Sequence, residues 1–274
     1  MKKLSVVISV ISLCSLCLLV NIATVKASYL NYSHTTYSLQ NPVTLDGKWT
    51  SPTEWTDGGD TTFGNTSNAV FRSKWEMVSD GSAFSVFQYI IVEILNDNTN
   101  DTGDYWQFCF DGDESGGAAP KAGDIASDTM DIRIDILGHN NLTAYYGTGT
   151  GWSPVSAPAT FQWSNAINTS PTSSTPHWIL EVKIDKINFG IAADYWLRVA
   201  YYDASRAAAG VQAWPPTSRD VPDNWGDIPY VSGAIPENLA VGVVVLLSSV
   251  AVLVGSFVLR KKKTLRLQPA VLLK

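Results

Sequence analysis

Residues 130–136 alternate without a break. Met130, Ile132, Ile134 and Ile136 are apolar, whereas Asp131, Arg133 and Asp135 are charged. A period of two is the signature of a half-buried β-strand, because successive side chains point to opposite faces. Residues 178–185 repeat the pattern, with Trp178, Leu180, Val182 and Ile184 set against Glu181, Lys183 and Asp185, and so do residues 71–77. Residues 84–95 are apolar in both phases, as expected of a central strand covered on both sides. Residues 105–110 and 195–202 are aromatic-rich strands, and Asp57-Gly58-Gly59, Asp80-Gly81, Asp111-Gly112 and Gly147-Thr148-Gly149 supply turns between the runs. No long helical periodicity competes with these strands outside two apolar segments. The pattern predicts an all-β fold, an antiparallel β-sandwich of jelly-roll type. Residues 147–176 read as a long polar loop carrying Trp152 and Trp163, and loops of that length are usually functional or mobile.

The two apolar segments set the topology. Lys2 and Lys3 precede an apolar run over residues 4–20, and Val25-Lys26-Ala27 offers a cleavage site, so residues 1–27 read as a signal peptide; an uncleaved anchor is the alternative. Residues 239–259 carry no charge and, at about 20 residues, match the length a transmembrane helix needs. Arg260, Lys261, Lys262 and Lys263 follow at once, which places residues 260–274 in the cytoplasm as a basic tail and residues 28–238 outside. The expected ectodomain is residues 28–228, with its core over 43–228, joined to the span by a stalk at 229–238. The implied location is the cell surface, as a single-pass membrane protein.

Charge divides along the same lines. Residues 28–238 hold 10 basic and 25 acidic side chains, a net of −15 that the whole-chain value of −6 conceals. Such a field repels nucleic acid and attracts cations. Cys14 and Cys17 fall in the signal segment, so Cys109, flanked by Phe108 and Phe110, reads as a buried thiol rather than half of a disulfide. Asn31, Asn65, Asn100, Asn141 and Asn168 begin Asn-x-Ser/Thr sequons, which would make a glycoprotein if the host modifies them. His34, His139 and His177 belong to no nucleophile or zinc-protease motif, and nothing singles out a catalytic pair among the acids, so a binding module is expected rather than an enzyme.

Two groups of residues could carry binding. Asp97, Asp101 and Asp104 cluster in one segment, Asp111 and Asp113 in the next, and Asp124 follows. Hard oxygen ligands at short spacing suit a structural Ca²⁺ ion, although not as an EF-hand; the alternative is a solvated acidic loop. The chain also has 10 Trp, 11 Tyr and 9 Phe. Trp75, Trp106 and Trp178 share strand faces with apolar residues and belong to a core. Trp152, Trp163, Trp214 and Trp225 lie among Gly, Ser, Pro and Asn, and a flat ring in such surroundings suits stacking on the C–H face of a sugar. Trp196, Arg198 and Tyr202 share one face of a strand and form a polar-aromatic wall. The candidate ligand residues are therefore Trp152, Trp163, Trp196, Arg198, Tyr202 and Trp214.

A family pattern runs through the same residues. Val43 to Trp49, with Leu45-Asp46-Gly47 at its centre, and then Glu54-Trp55, resembles the opening of family 9 carbohydrate-binding modules and their DOMON-like relatives. Gly123-Asp124 before residues 130–135, Glu181 to Ile184, residues 199–203 and Trp214-Pro215 follow in the family's order. The resemblance spans about residues 43–228 and implies a β-sandwich, frequent calcium and sugars held between aromatic rings, with Trp214 at a family aromatic position. It implies a glycan or cell-envelope polysaccharide as partner. The superfamily also contains b-type haem domains of the ethylbenzene-dehydrogenase type, with Met and His or Lys as axial ligands; Met77, Met130, His139 and Lys183 are the residues available here. Ile235-Pro236-Glu237-Asn238, the span and the basic tail resemble the C-terminal sorting signals of prokaryotic, especially archaeal, surface proteins. A structural cell-surface glycoprotein without a small ligand is the remaining alternative.

Overall fold

The computed structural model describes residues 32–231 except 80, 82, 126–128, 192 and 193. The expected signal peptide, span and basic tail lie outside the described residues. Among the described residues no helix is long and apolar enough to cross a membrane.

The strands, in chain order, are β1 (Thr36–Ser38), β2 (Gly59–Phe63), β3 (Ala69–Ser79), β4 (Phe84–Ile94), β5 (Tyr105–Asp111), β6 (Asp131–Leu137), β7 (Asn141–Gly147), β8 (Trp152–Val155), β9 (Phe161–Ser170), β10 (Ser173–Asp185), β11 (Tyr195–Tyr202), β12 (Gln212–Trp214), β13 (Gly226–Ile228) and β14 (Tyr230–Val231). They form two sheets. The first runs β14-β1-β3-β4-β10-β9 with β2 beside β3, and the second runs β12-β11-β5-β6-β7-β8 with β13 beside β11. The pairings are antiparallel except at β1, which lies parallel to both β3 and β14. Pairing thus continues to Val231, inside the stretch read from sequence as the start of a stalk.

The sandwich core follows from the alternation. Phe71, Ile90, Val92, Leu180, Val182 and Ile184 of the first sheet meet Phe108, Phe110, Ile132, Ile134, Leu197 and Val199 of the second, all essentially fully buried. Each such side chain contributes roughly 1.5–3 kcal/mol relative to exposure. Trp106 and Trp178 belong to this core, edge to face at 5.8 Å. Trp75 does not; it is half-buried, packs on Tyr230 at 5.2 Å, and the face it shares with Phe71 runs out into solvent at Met77, which is 60% exposed.

β4 is buried on both faces from Gln88 to Ile94, as its doubly apolar sequence predicts, whereas Phe84 is 64% exposed and Ser85, Val86 and Phe87 are half-buried where the strand runs past its cover. Tyr89 and Ile91 join Ile179 and Trp55 in a smaller cluster, roofed by Leu39, Val43 and Trp49 from the segment before β2. A buried carboxylate clasps that roof. Glu181 on β10 accepts the Asp46 and Gly47 N–H groups and the Trp55 indole N–H, each at 2.9 Å. Glu54 accepts from the Thr44 and Thr50 N–H groups, both at 2.6 Å. The fully buried Lys74 ammonium donates to the Asn41 and Glu54 carbonyls and to Asp57 Oδ1. Gly47 has φ +76°, and a Cβ there would fall 2.4 Å from the Asn165 backbone on β9. The family-like pattern from Leu45 to Trp55 is therefore a structural clasp. Gly47→Ala is expected to lower stability by about 2 kcal/mol, read as a fall in urea midpoint at unchanged m-value.

Residues 147–176 are not one loop. They contain β8 and β9, joined to their neighbours by tight turns such as 148–151, closed by Thr148 N–H donating to the Gly151 carbonyl. Their polarity has a simple cause: β8 and β9 are the edge strands of the two sheets, where one side of the chain faces water.

Candidate functional site

The outward faces of β11, β5 and β6 lie side by side. Register places Arg198 opposite Cys109, which lies opposite Arg133, and Ala200 opposite Gln107, which lies opposite Asp135. A cavity of about 750 Å³ opens on this face, roofed by residues 209–220 and lined by Tyr105, Gln107, Arg133, Arg198, Ser218 and Arg219 among others. The Arg198 guanidinium, 5% exposed, donates to the Ser218 carbonyl at 3.1 Å and to Gln107 Oε1. Gln107 in turn donates to Asp135 Oδ1 at 2.9 Å, and Arg133 holds both Asp135 oxygens in a fork. Arg133 also lies 4.9 Å above the Tyr145 ring. The Tyr105 ring is backed by Tyr202, nearly parallel at 5.5 Å. Ser218 is fixed by its own turn onto the Pro215 carbonyl, and Trp225 holds the Arg219 carbonyl through its indole N–H at 2.7 Å. The result is a rigid wall of guanidinium and amide groups with one supported aromatic ring. Cys109 lies beneath it, fully buried, and burial pushes its thiol up to about 12, so it remains protonated.

The six ligand residues expected from sequence do not converge. Arg198 lines the cavity, and Tyr202 supports it from behind Tyr105. Trp196 shares their strand but is half-buried against the loop at Gly116, where a Cβ would come 2.9 Å from its ring. Trp152 is half-buried on β8, parallel to Trp225 at 6.3 Å, and Trp163 packs partly on the core from β9 of the other sheet. Trp214 is a core residue, 3% exposed, 5.0 Å from Phe71, and its ring occupies the space that a side chain at position 226 would take. A loop-like sequence around tryptophan does not imply an exposed ring, because Gly226 provides a bare backbone for it to lie on. Tyr105, Gln107, Arg133, Ser218 and Arg219 were not among the sequence candidates. Their signal is the set of polar outward positions on β5 and β6, which becomes a site only once the strand order is known.

The acidic residues divide. Asp97, Asp101 and Asp104 come together and recruit Asp203 and His139. Carboxylate and imidazole atoms of Asp97, Asp104 and His139 lie within 4.8 Å of one another, as do those of Asp101, Asp104 and Asp203. Asp104 accepts from the Asp101 and Ala204 N–H groups and from His139 Nε2, the last at 2.8 Å. Asp203 Oδ2 is buried without a hydrogen-bond partner, and Arg206 Nε stands 3.6 Å from it. Burial, with Asp203 and Asp104 nearby, raises the Asp97 pKa. Asp111 and Asp113 form a different group, bonded to the Ser115 and Gly116 N–H groups and to Lys121. Asp124 is exposed, its N–H bonded to Thr129 Oγ1. The six expected metal residues are thus separated by the strand β5, whose two ends carry the two main groups.

The four potential haem ligands stand apart. Met77 is exposed on β3, and Met130 is half-buried beside β6. His139 stacks on Trp178 at 3.7 Å, and Lys183 Nζ lies over Phe87 at 4.1 Å. None of the four lines the cavity.

No protein-family model matches the chain, and no curated protein matches it. Among solved structures it is similar to two of a family 9 carbohydrate-binding module from Caldicellulosiruptor kristjanssonii. The one in complex with glucose has a TM-score of 0.44 at 11% identity, and the one in complex with cellotriose 0.43 at 13%. The matches cover 73% of this chain and 97% and 95% of theirs.

Proposed function

We propose that residues 32–231 form a sugar-binding module displayed outside the cell, anchored by the C-terminal apolar run and stabilised by calcium. The observation that carries the reading is the cavity over β11, β5 and β6. It offers fixed guanidinium and amide donors with a tyrosine face at their edge, the combination that recognises ring hydroxyls and a C–H face together. The two apolar segments of the sequence support the location. Binding to a glycan array, followed by calorimetry on the strongest hits, tests the reading. Tyr105→Ala is expected to weaken binding by roughly 10-fold, the loss of one stacking contact, while leaving the thermal midpoint within a few degrees. If no glycan binds, or if Tyr105→Ala binds as the parent does, this site is not a sugar site.

Calcium is supported by the donor set. Asp97, Asp101, Asp104 and Asp203 present hard oxygen ligands, and the buried Asp203 Oδ2, which accepts no hydrogen bond and has only the exposed Arg206 at 3.6 Å, is an acceptor that a cation would satisfy. His139 would orient Asp104 rather than ligate. A bound ion would tie the segment before β5 to the end of β11, next to the Tyr105–Tyr202 pair. At 100 times its Kd, calcium should add about 2.7 kcal/mol of stability. The midpoint should rise by about 5–10 °C over protein in chelator. Asp203→Ala should abolish that rise, and an unchanged midpoint with and without calcium would remove the proposal.

A further inference from the structure

We infer that the sugar this cavity takes is anionic, carrying a carboxylate or a sulfate that seats on Arg198. The inference rests on the sugar-binding reading and adds the charge of the ligand.

Three observations carry it. First, charge is segregated. Residues 32–231 contain five arginines in a strongly acidic segment, and three of the five, Arg133, Arg198 and Arg219, line this one cavity. Second, Arg198 is buried without a counter-charge. Its two protein partners are neutral, the Ser218 carbonyl and the Gln107 amide oxygen, and among the described residues it forms no ion pair. A guanidinium removed from water without an anion is costly, and the cost is lifted when an anion arrives. Third, the surroundings hold Arg198 in place instead of neutralising it. Asp135, the nearest carboxylate in the network, is occupied by the Arg133 fork and by the Gln107 amide, so it positions Gln107 and does not reach Arg198 as a partner. The carboxylate in the cavity lining is Asp220, an exposed residue next to Arg219. Nε and Nη1 are engaged by Ser218 and Gln107, which leaves the Nη2 amino group of this cavity-lining guanidinium to donate to a carboxylate or sulfate oxygen.

The domain's net negative charge would otherwise repel acidic polysaccharides, so the uncompensated Arg198 in the cavity gives selectivity as well as affinity. A neutral oligosaccharide would leave Arg198 desolvated and unpaired.

The test compares binding of the full-length protein to trigalacturonate, its methyl ester, a sulfated trisaccharide and the uncharged parent trisaccharide, alongside an array holding neutral, uronate-bearing and sulfated glycans. Charged glycans are expected to bind at least 10-fold tighter than their neutral counterparts, with affinity falling as salt rises. The tighter of the uronate and sulfate arms names the anion. Arg198→Gln should remove the preference, and Arg198→Lys should restore part of it. Because Arg198 is buried and its variants could misfold, the exposed Arg219→Gln and the ester itself provide arms free of that problem. Hits confined to neutral glycans, or equal affinity for acid and ester, would overturn the charge inference and leave sugar binding standing. An array without any hit would overturn both.

Discussion

Glu181→Ala is expected to lower the stability of the domain by about 4 kcal/mol, the largest single effect among the substitutions considered. Three donors, two of them buried and one partly so, depend on this carboxylate: the indole N–H of Trp55 and the N–H groups of Gly47 and Asp46. Leaving a buried donor without an acceptor costs about 1–3 kcal/mol, and alanine offers none of the three an alternative. The loss spreads, because Trp55 is fully buried in the cluster that roofs β4 and β10. Glu181→Gln should cost about half as much, since an amide retains one acceptor oxygen but turns a donor toward groups that are themselves donors. Urea titration followed by tryptophan fluorescence would measure both. A loss under about 1 kcal/mol for the alanine variant would mean that the roof does not depend on the clasp.

The clasp also shows what the sequence made legible. Alternation located β6 to within a residue, set β10 correctly from Trp178 to Asp185, and marked β4 as covered on both faces, which holds from Gln88 onward. These are central strands, where one face is bound to be apolar and the period is clean. The reading failed at the edges. β8 and β9 are polar because half of each faces solvent, so they read as loop. β1 is three residues long, too short for a period, and its parallel pairing with β3 and β14 depends on chain ends that no local pattern describes.

The site was less legible than the fold, for a related reason. Tyr105, Gln107, Arg133, Arg198 and Ser218 come from across more than a hundred residues and become neighbours through the order β11-β5-β6. Arg198 and Tyr202 were found because two outward residues on one strand are visible in one stretch of sequence. Asp97, Asp101 and Asp104 were found the same way, whereas Asp203 and His139 were not, since each enters from a different turn. The acids after β5 were wrongly grouped with them because proximity in sequence stood in for proximity in space; a seven-residue strand separates the two ends.

At that far end of β5 lies the second large effect: stability should fall as pH rises from 6 to 9, and Asp131→Asn should flatten the fall. Asp131 is fully buried and one of its oxygens has no hydrogen-bond partner. Burial, reinforced by the cross-strand Asp111, pushes its pKa up from 3.8 to about 8. Burial raises Asp111 to about 6 and Glu181 to about 7. All three have folded values above their unfolded ones, so the folded state holds the extra protons. The stability they contribute is complete below the unfolded values and is lost as pH climbs through the folded ones. Over pH 6–9 the loss should total about 4–5 kcal/mol, at about 1.4 kcal/mol per proton per pH unit, with Asp131 providing the largest share. His34 contributes in the opposite direction and offsets part of the carboxyl slope. His34, buried between Thr61 and Ser73 hydroxyls, is lowered to about 3, so stability is lost again as pH falls below its unfolded value of 6.5. Asparagine at 131 keeps an acceptor for the Lys121 N–H, which Asp131 Oδ2 now binds at 2.7 Å, and removes the charge. In chelator, to exclude bound cations, Asp131→Asn should gain about 3 kcal/mol on the parent between pH 6 and pH 9, an increase in stability from deleting a charged group. Parallel pH profiles for the two proteins would show that Asp131 is ionised throughout this range and that the slope has another source.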